Sequence, residues 1–395
     1  MTARVYLDWN ATAPLRPAAR AAACAAMDAC GNPSSVHGEG RAARRLMEDA
    51  RGHVAALVNA DPRNVIFTSG GTEANALALT PAIEQGAEKA PRDLLLISAI
   101  EHPSVLTGGR FAPALVGKAP VDANGVIDLA ALEQCLAAQA PGRALVSLMA
   151  ANNETGVIQP VAAAAEIVHR HGGLLHVDAV QAAGRIPVDI AALGADLMTL
   201  SAHKLGGLKG AGALVRRDES IHVEPLIRGG GQERGARAGT ENVAAVAAFG
   251  AAAQAAKADL TADARHMMTL RDRLEARLSA ISPQAVIFGA KAERLPNTTL
   301  AAVPGGKAET LVIAFDLDGV AVSSGAACSS GKVAPSHVLA AMGIAPELAR
   351  GAIRISLGAA TTETDVDRLL QVWQKLAQSL SMGDKRGQES SRFAA

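Results

Sequence analysis

A mainly parallel α/β sheet covered by helices, with a smaller α+β unit appended, is the fold class this sequence predicts. Three observations carry it. Short β-branched or leucine-rich runs alternate with alanine-rich helical stretches through the first two thirds of the chain. After about Leu260 the texture changes to polar helix and scattered strand-like segments. Chemically active residues recur directly after the apolar runs, where an open α/β sheet binds its ligands.

The elements follow in order. Pro17–Ala29 and Gly40–Val58 read as helices ahead of a first strand, Asn64–Thr68. A helix over Thr72–Leu79 precedes the strand Leu94–Ser98, and a helix over Leu129–Ala138 precedes the strand Ala144–Met149. A helix over Ala162–His171 leads to Leu174–Val177, then come the strands Asp196–Ser201 and Ala213–Arg216 and a helix over Glu241–Lys257. Beyond it lie a polar helix, Ala262–Ile281, and a closing helix, Thr364–Leu380. This divides the chain into a large cofactor-binding unit, 16–259, and a small one, 1–15 plus 260–381. The polar, aperiodic tail 382–395 is expected to be disordered.

A chain of 395 residues, 49% apolar, can bury two cores, although aromatics are only 2% and alanine must do much of the filling. Basic and acidic residues balance at 38 each, so charge gives no case for nucleic acid or an anionic membrane. No signal-like apolar region follows Met1, and the stretch Val243–Ala253 falls short of the ~18 residues of a span. Four cysteines without paired spacing suggest free thiols in a cytoplasmic, reducing compartment. Cys24, Cys30 and Cys135, in or beside alanine-rich helices, read as buried fillers. Cys328, flanked by small residues from Ser323 to Gly331, reads as a thiol held out on a mobile loop. His169 and His171 end a helix, where dipole placement explains them better than a metal. The segment Arg228–Arg234 reads equally as an anion-binding loop or as a loop near a subunit contact.

Five strand ends supply a candidate site. Gly70-Gly71-Thr72 at a helix start is either an ordinary capped turn or a phosphate cradle. Lys204, after Ser201 and His203, is either a solvated loop lysine like Lys209 or an amine for a Schiff base. Asp178 is either a helix cap or the acid partner of a pyridinium nitrogen. Gln181 can donate to the ring oxygen and His102 can lie on the ring face. Together these groups specify pyridoxal 5'-phosphate.

The chain resembles the cysteine desulfurases of the class V aminotransferase family, the group with NifS and IscS. The resemblance rests on ordered blocks: Tyr6-Leu7-Asp8-Trp9-Asn10-Ala11-Thr12, Gly31-Asn32-Pro33-Ser34-Ser35, Thr68 to Asn75, Asn152-Asn153-Glu154, His176 to Gln181, Ser201-Ala202-His203-Lys204, Arg237-Ala238-Gly239-Thr240 and Ile353 to Gly358. It implies a fold-type I pyridoxal phosphate transferase with a seven-stranded sheet, acting as a homodimer. Lys204 would anchor the cofactor covalently, and Gly71, Thr72, Ser201 and His203 would hold its phosphate. Thr240 of each subunit would complete the partner's phosphate site. Asn153 and Arg354 would lie at the substrate, with the planar fork of Arg354 on its carboxylate. His102 would serve catalysis as well as the ring. Cys328 would take the sulfur of L-cysteine as a persulfide, leaving L-alanine, and pass it to a sulfur acceptor or iron–sulfur scaffold protein. A transient iron–sulfur contact at Cys328 is the one metal association this implies. Two departures stand out: Gly206-Gly207-Leu208, expected to loosen the turn after the lysine, and Ala13 where many relatives have threonine. A selenocysteine lyase or other β-lyase on the same scaffold would not need Cys328. A non-catalytic adaptor would not need Lys204, Asp178, Arg354 or Cys328.

Overall fold

The computed structural model describes residues 4–86, 90–138, 143–325 and 335–392. Seven strands form the principal sheet, in the order Val65–Thr68, Gly212–Arg216, Leu197–Ser201, Leu174–Asp178, Ala144–Met149, Leu94–Ser98, Val116–Ala119. The last five run parallel. Gly212–Arg216 is antiparallel to both its neighbours. Six strands match the expected runs to within one residue. The edge strand Val116–Ala119 escaped notice because Val-Gly-Lys-Ala has one β-branched residue and no apolar run.

Successive side chains of these strands point to opposite faces, and both faces are covered. Val146, Leu148, Val177 and Leu200 pack on the side of the helices Pro17–Asp28, Gly38–Leu57 and Val161–Arg170. Leu95, Ile97, Leu145 and Leu197 pack on the side of the helix Gly71–Ala78. Burial on both faces is why the central strands read as unbroken apolar runs.

The two helices expected over Glu241–Lys257 and Ala262–Ile281 are one helix, Val243–Ile281, of 39 residues, opened by Asn242 Oδ1 accepting from Ala245 N at 3.0 Å. No glycine or proline interrupts it between them, so the change from apolar to polar marks where it leaves the large core. Its first half is buried on most sides; its second half buries only the stripe Met267, Leu270, Leu274, Leu278. By length and composition this helix could cross a membrane, but half of its most apolar window is buried within the fold. Small residues let it pack closely: a Cβ on Gly250 would lie 2.4 Å from Ala50 Cα.

A second, antiparallel sheet has the order Val286–Ile287, Thr298–Ala302, Ile353–Ser356, Ser323–Ser324. Its core gathers Phe315, Trp373 and the stripe of the long helix. The first strand of the chain, Val5–Tyr6, pairs in parallel with Val320–Ala321, and Asp8 bridges to Ser356. The closing helix spans Glu363–Arg392. It is anchored by Val366, Leu370 and Trp373. The cysteine expectation also needs correcting: Cys24 and Cys30 are exposed and Cys135 is half-buried. The buried stripe of the first helix is Ala19, Ala23 and Ala26, which turns Cys24 outward, and Cys30 lies beyond the helix end.

Candidate active site

The strand ends open on one pocket of about 280 Å³. Gly71, Thr72, His102, Asn153, Asp178, Gln181, Ser201, His203, Lys204 and Arg354 all line it. A roomier groove of about 540 Å³ lies elsewhere, among arginines and Glu233, and none of Thr72, His102, Asp178 or Lys204 lines it. Thr240 is exposed and does not line the pocket of its own chain. Cys328 lies outside the described residues.

The helix Gly71–Ala78 begins at the end of the strand Val65–Thr68 with no side-chain cap, leaving the dipole's positive end and free N–H groups facing the pocket. A Cβ on Gly71 would lie 3.1 Å from Val180 Cγ2 and 3.4 Å from Ser201 Cβ, filling the space between this first turn and Ser201. Asp178, the last residue of its strand, accepts from Asn75 Nδ2 at 2.9 Å and from Val180 N at 3.0 Å. Asn75 Nδ2 also donates to Ser104 Oγ at 2.9 Å, and Ser104 Oγ lies 2.8 Å from His102 Nδ1. Ser104 N donates to that same ring nitrogen, which leaves the proton of the neutral imidazole on Nε2. Burial lowers the His102 pKa, against the opposing pull of Asp178.

Lys204 Nζ donates to the carbonyls of Asn10 and Ala11 at 2.5 and 2.8 Å. Burial, then the charge of Lys204, pushes His203 down to about 4, so it is a neutral imidazole near pH 7. The turn after Lys204 is not loose. Gly206, at φ 83°, fits so tightly that a Cβ would meet Arg16 Cγ at 2.7 Å, and Gly207 N bonds Ala202 O at 2.9 Å. Arg354 is buried, with one terminal nitrogen on Asp8 Oδ1 at 2.8 Å and the other on Asn153 O at 3.1 Å. Its Nε is fully buried and has no partner among the described residues.

Two buried carboxyls flank the site. Glu101 is pushed well up by burial and by facing Asp178. Glu154 is raised to about 7 by burial; its Oε2 accepts from Ser336 Oγ at 2.5 Å, and a Cβ on Gly325 would lie 3.3 Å from that same oxygen. Glu154 thus holds Ser336 next to Asn153, with Gly325 lying close to the same carboxyl.

The expected residues did not include Asn10, Asn75 or Ser104. Asn75 could have been found, since it stands one turn after Gly71 on the same helix face. Asn10 could not: its partners Asn153, Thr298, Asn297 and Ser356 are distant in sequence.

An uncapped helix start whose clearance requires glycine, a buried carboxylate and a nearby amine suit a phosphorylated, cationic, aldehyde-bearing ring such as pyridoxal phosphate. Comparisons with known proteins agree. The chain is 44% identical over 383 residues to a cysteine desulfurase of Cereibacter sphaeroides, covering 95% of this chain and 96% of the relative. The X-ray structure of a NifS-like protein from Rickettsia africae superposes with a TM-score of 0.85 at 35% identity, covering 95% of this chain and 99% of that one. A structure described as SspA in complex with cysteine matches at a TM-score of 0.73 and 27% identity, covering 91% of this chain and all (100%) of that one. Residues 5–369 match the family model Aminotransferase class-V, whose members of this kind depend on pyridoxal phosphate, and the chain belongs to that family.

Proposed function

We propose that this chain is a cysteine desulfurase, which moves the sulfur of L-cysteine onto its own Cys328 and releases L-alanine. The observation that carries this reading is the convergence of Lys204, Asp178 and Arg354 on one pocket, with Glu154 bonded to Ser336 and close to Gly325. Gly71, Thr72, Ser201 and His203 would hold the phosphate of pyridoxal phosphate, and Asp178 would serve as the acid partner of its ring nitrogen. When bound, that cofactor supplies an electron sink for bonds at the substrate's α-carbon.

The chain's own residues do the rest. Lys204 anchors the cofactor and moves the proton of the substrate α-carbon. Arg354, which lines the pocket, pairs with the substrate carboxylate, its terminal nitrogens oriented by Asn153 O and Asp8 Oδ1. His102, held by Ser104, flanks the ring and presents an N–H. The Cys328 thiolate attacks the substrate sulfur; the carbon–sulfur bond breaks and a sulfur–sulfur bond forms. One cysteine and one thiol become one alanine and one persulfide, so atoms and electrons balance without an added oxidant. The persulfide then serves an acceptor or iron–sulfur scaffold protein. The exposed free thiols Cys24 and Cys30 support a reducing, cytoplasmic setting. The exposed Thr240, which does not line the Lys204 pocket of its own chain, supports a homodimer in which it completes the partner's phosphate site.

Incubation with L-cysteine and a reductant should yield alanine and sulfide in equal amounts; with L-cysteine and no reductant, Cys328 should carry one extra sulfur by mass. Cys328→Ser should keep the bound cofactor and lose the persulfide. Undiminished sulfur release by that variant would replace this reading with a β-lyase.

A further inference from the structure

Arg185 lies in the turn after Gln181, buried behind the pocket wall. One terminal nitrogen donates to Gln181 O at 2.6 Å and to Gln181 Oε1 at 2.8 Å; the other reaches Trp9 O at 3.4 Å. Its hydrogen bonds go to these oxygens, and it forms no ion pair with a carboxylate among the described residues. A buried guanidinium without a counter-ion is costly, so its surroundings must use the charge.

A guanidinium carries donors only, which settles how the Gln181 amide is turned: the atom facing Arg185 is Oε1. The amide nitrogen is then on the other side, where one N–H meets Asn10 O at 3.1 Å and a second N–H remains on a residue that lines the pocket. Asn10 O, an acceptor only, favours the same orientation, so without Arg185 that single contact would be left to hold it, and a flipped amide would set an oxygen against any anionic ligand oxygen. The charge also reaches the pocket. Arg185 is among the cations that disfavour protonation of His203. Burial, with Arg354 nearby, lowers its own pKa to about 10, so it remains charged at neutral pH.

We infer that Arg185 is a positioning residue: it locks Gln181 as a donor toward the ring oxygen of the cofactor and places an unbalanced positive charge behind that contact. The inference rests on the pocket holding pyridoxal phosphate. Gln181 touches the ring; Arg185 acts through it. A fixed cation there disfavours every proton-binding step on the nitrogens around it.

The test is a titration of apoprotein with pyridoxal phosphate, followed by a pH titration of the bound cofactor's absorbance. Arg185→Met should weaken cofactor binding about tenfold or more, the range for one charged hydrogen bond. It should also move the absorbance midpoint to higher pH. Arg185→Lys keeps the charge but cannot hold two atoms of Gln181 in one fork, so binding should stay weak while the midpoint returns toward wild type. In a Gln181→Leu background, Arg185→Lys should add nothing further to the loss of affinity. Wild-type affinity and midpoint in Arg185→Met would overturn the inference. If that variant does not fold, additive losses from Arg185→Lys and Gln181→Leu would overturn it instead. A wild-type apoprotein that takes up no pyridoxal phosphate would refute the cofactor reading itself.

Discussion

Glu154 is a carboxyl that burial holds near neutrality, and its titration has a sign. Its folded pKa is about 7 against an ordinary 4.5, so between those values the folded protein carries a proton the unfolded chain has lost. Its contribution to stability therefore falls as pH rises through that window, by about 3 kcal/mol in total. Glu154→Gln should flatten that part of a thermal-stability profile; an unchanged slope would show that Glu154 is ionised throughout. Lys204 makes a separate prediction. Borohydride reduction of the holoenzyme should fix the cofactor's mass on the peptide containing Lys204, and Lys204→Ala should carry none. Lys204 and Asp178 were legible because charged side chains following apolar runs stand out, whereas Arg354, inside the strand Ile353–Ser356, came only through the family resemblance. Asn10 and the Glu154–Ser336 contact were not legible, because each is made by chain segments that only the tertiary fold brings together.

Among the elements, the contact between the helices Gly38–Leu57 and Val243–Ile281 is set by the absence of side chain. A Cβ at Gly250 would collide with Ala50 Cα, so Gly250→Val must push the helices apart. Overpacking of this kind costs roughly 1–3 kcal/mol, which in a protein this large lowers Tm by several degrees. Circular dichroism melting checks it, and an unshifted Tm would mean the helices yield freely. At the start of the helix Gly71–Ala78, Gly71→Ala should leave the apoprotein folded while weakening pyridoxal phosphate binding about tenfold. Full affinity would show that the phosphate does not sit there. The parallel strands were legible because two-sided burial demands unbroken apolar sequence. The continuity of Val243–Ile281 was not, because polarity reports which neighbours a helix has rather than where its hydrogen bonds end.

For the whole molecule, the proposed homodimer makes a prediction that no single chain can satisfy. Subunits with Lys204→Ala and subunits with a disabling change at Thr240 should each be inactive alone. Mixed and reassembled, they should regain part of the activity, since one site of each hybrid then has both residues. No recovery in hybrids verified by mass would remove Thr240 from the partner's site. The two-part composition of the sequence was visible, with residues 1–15 grouped with the later unit, but the strand pairing between residues 5–6 and 320–321 was not, because it leaves no local mark. That pairing has a consequence for biosynthesis. Asn10, whose carbonyl receives the amine of Lys204, has its backbone N–H on the Ser356 hydroxyl. At roughly 5–20 residues per second, the ribosome emits the first wall of the pocket many seconds before the strand that holds it. The nascent chain must keep its own beginning waiting, and a ribosome that stalls before Ser356 releases a protein with an unfinished pocket.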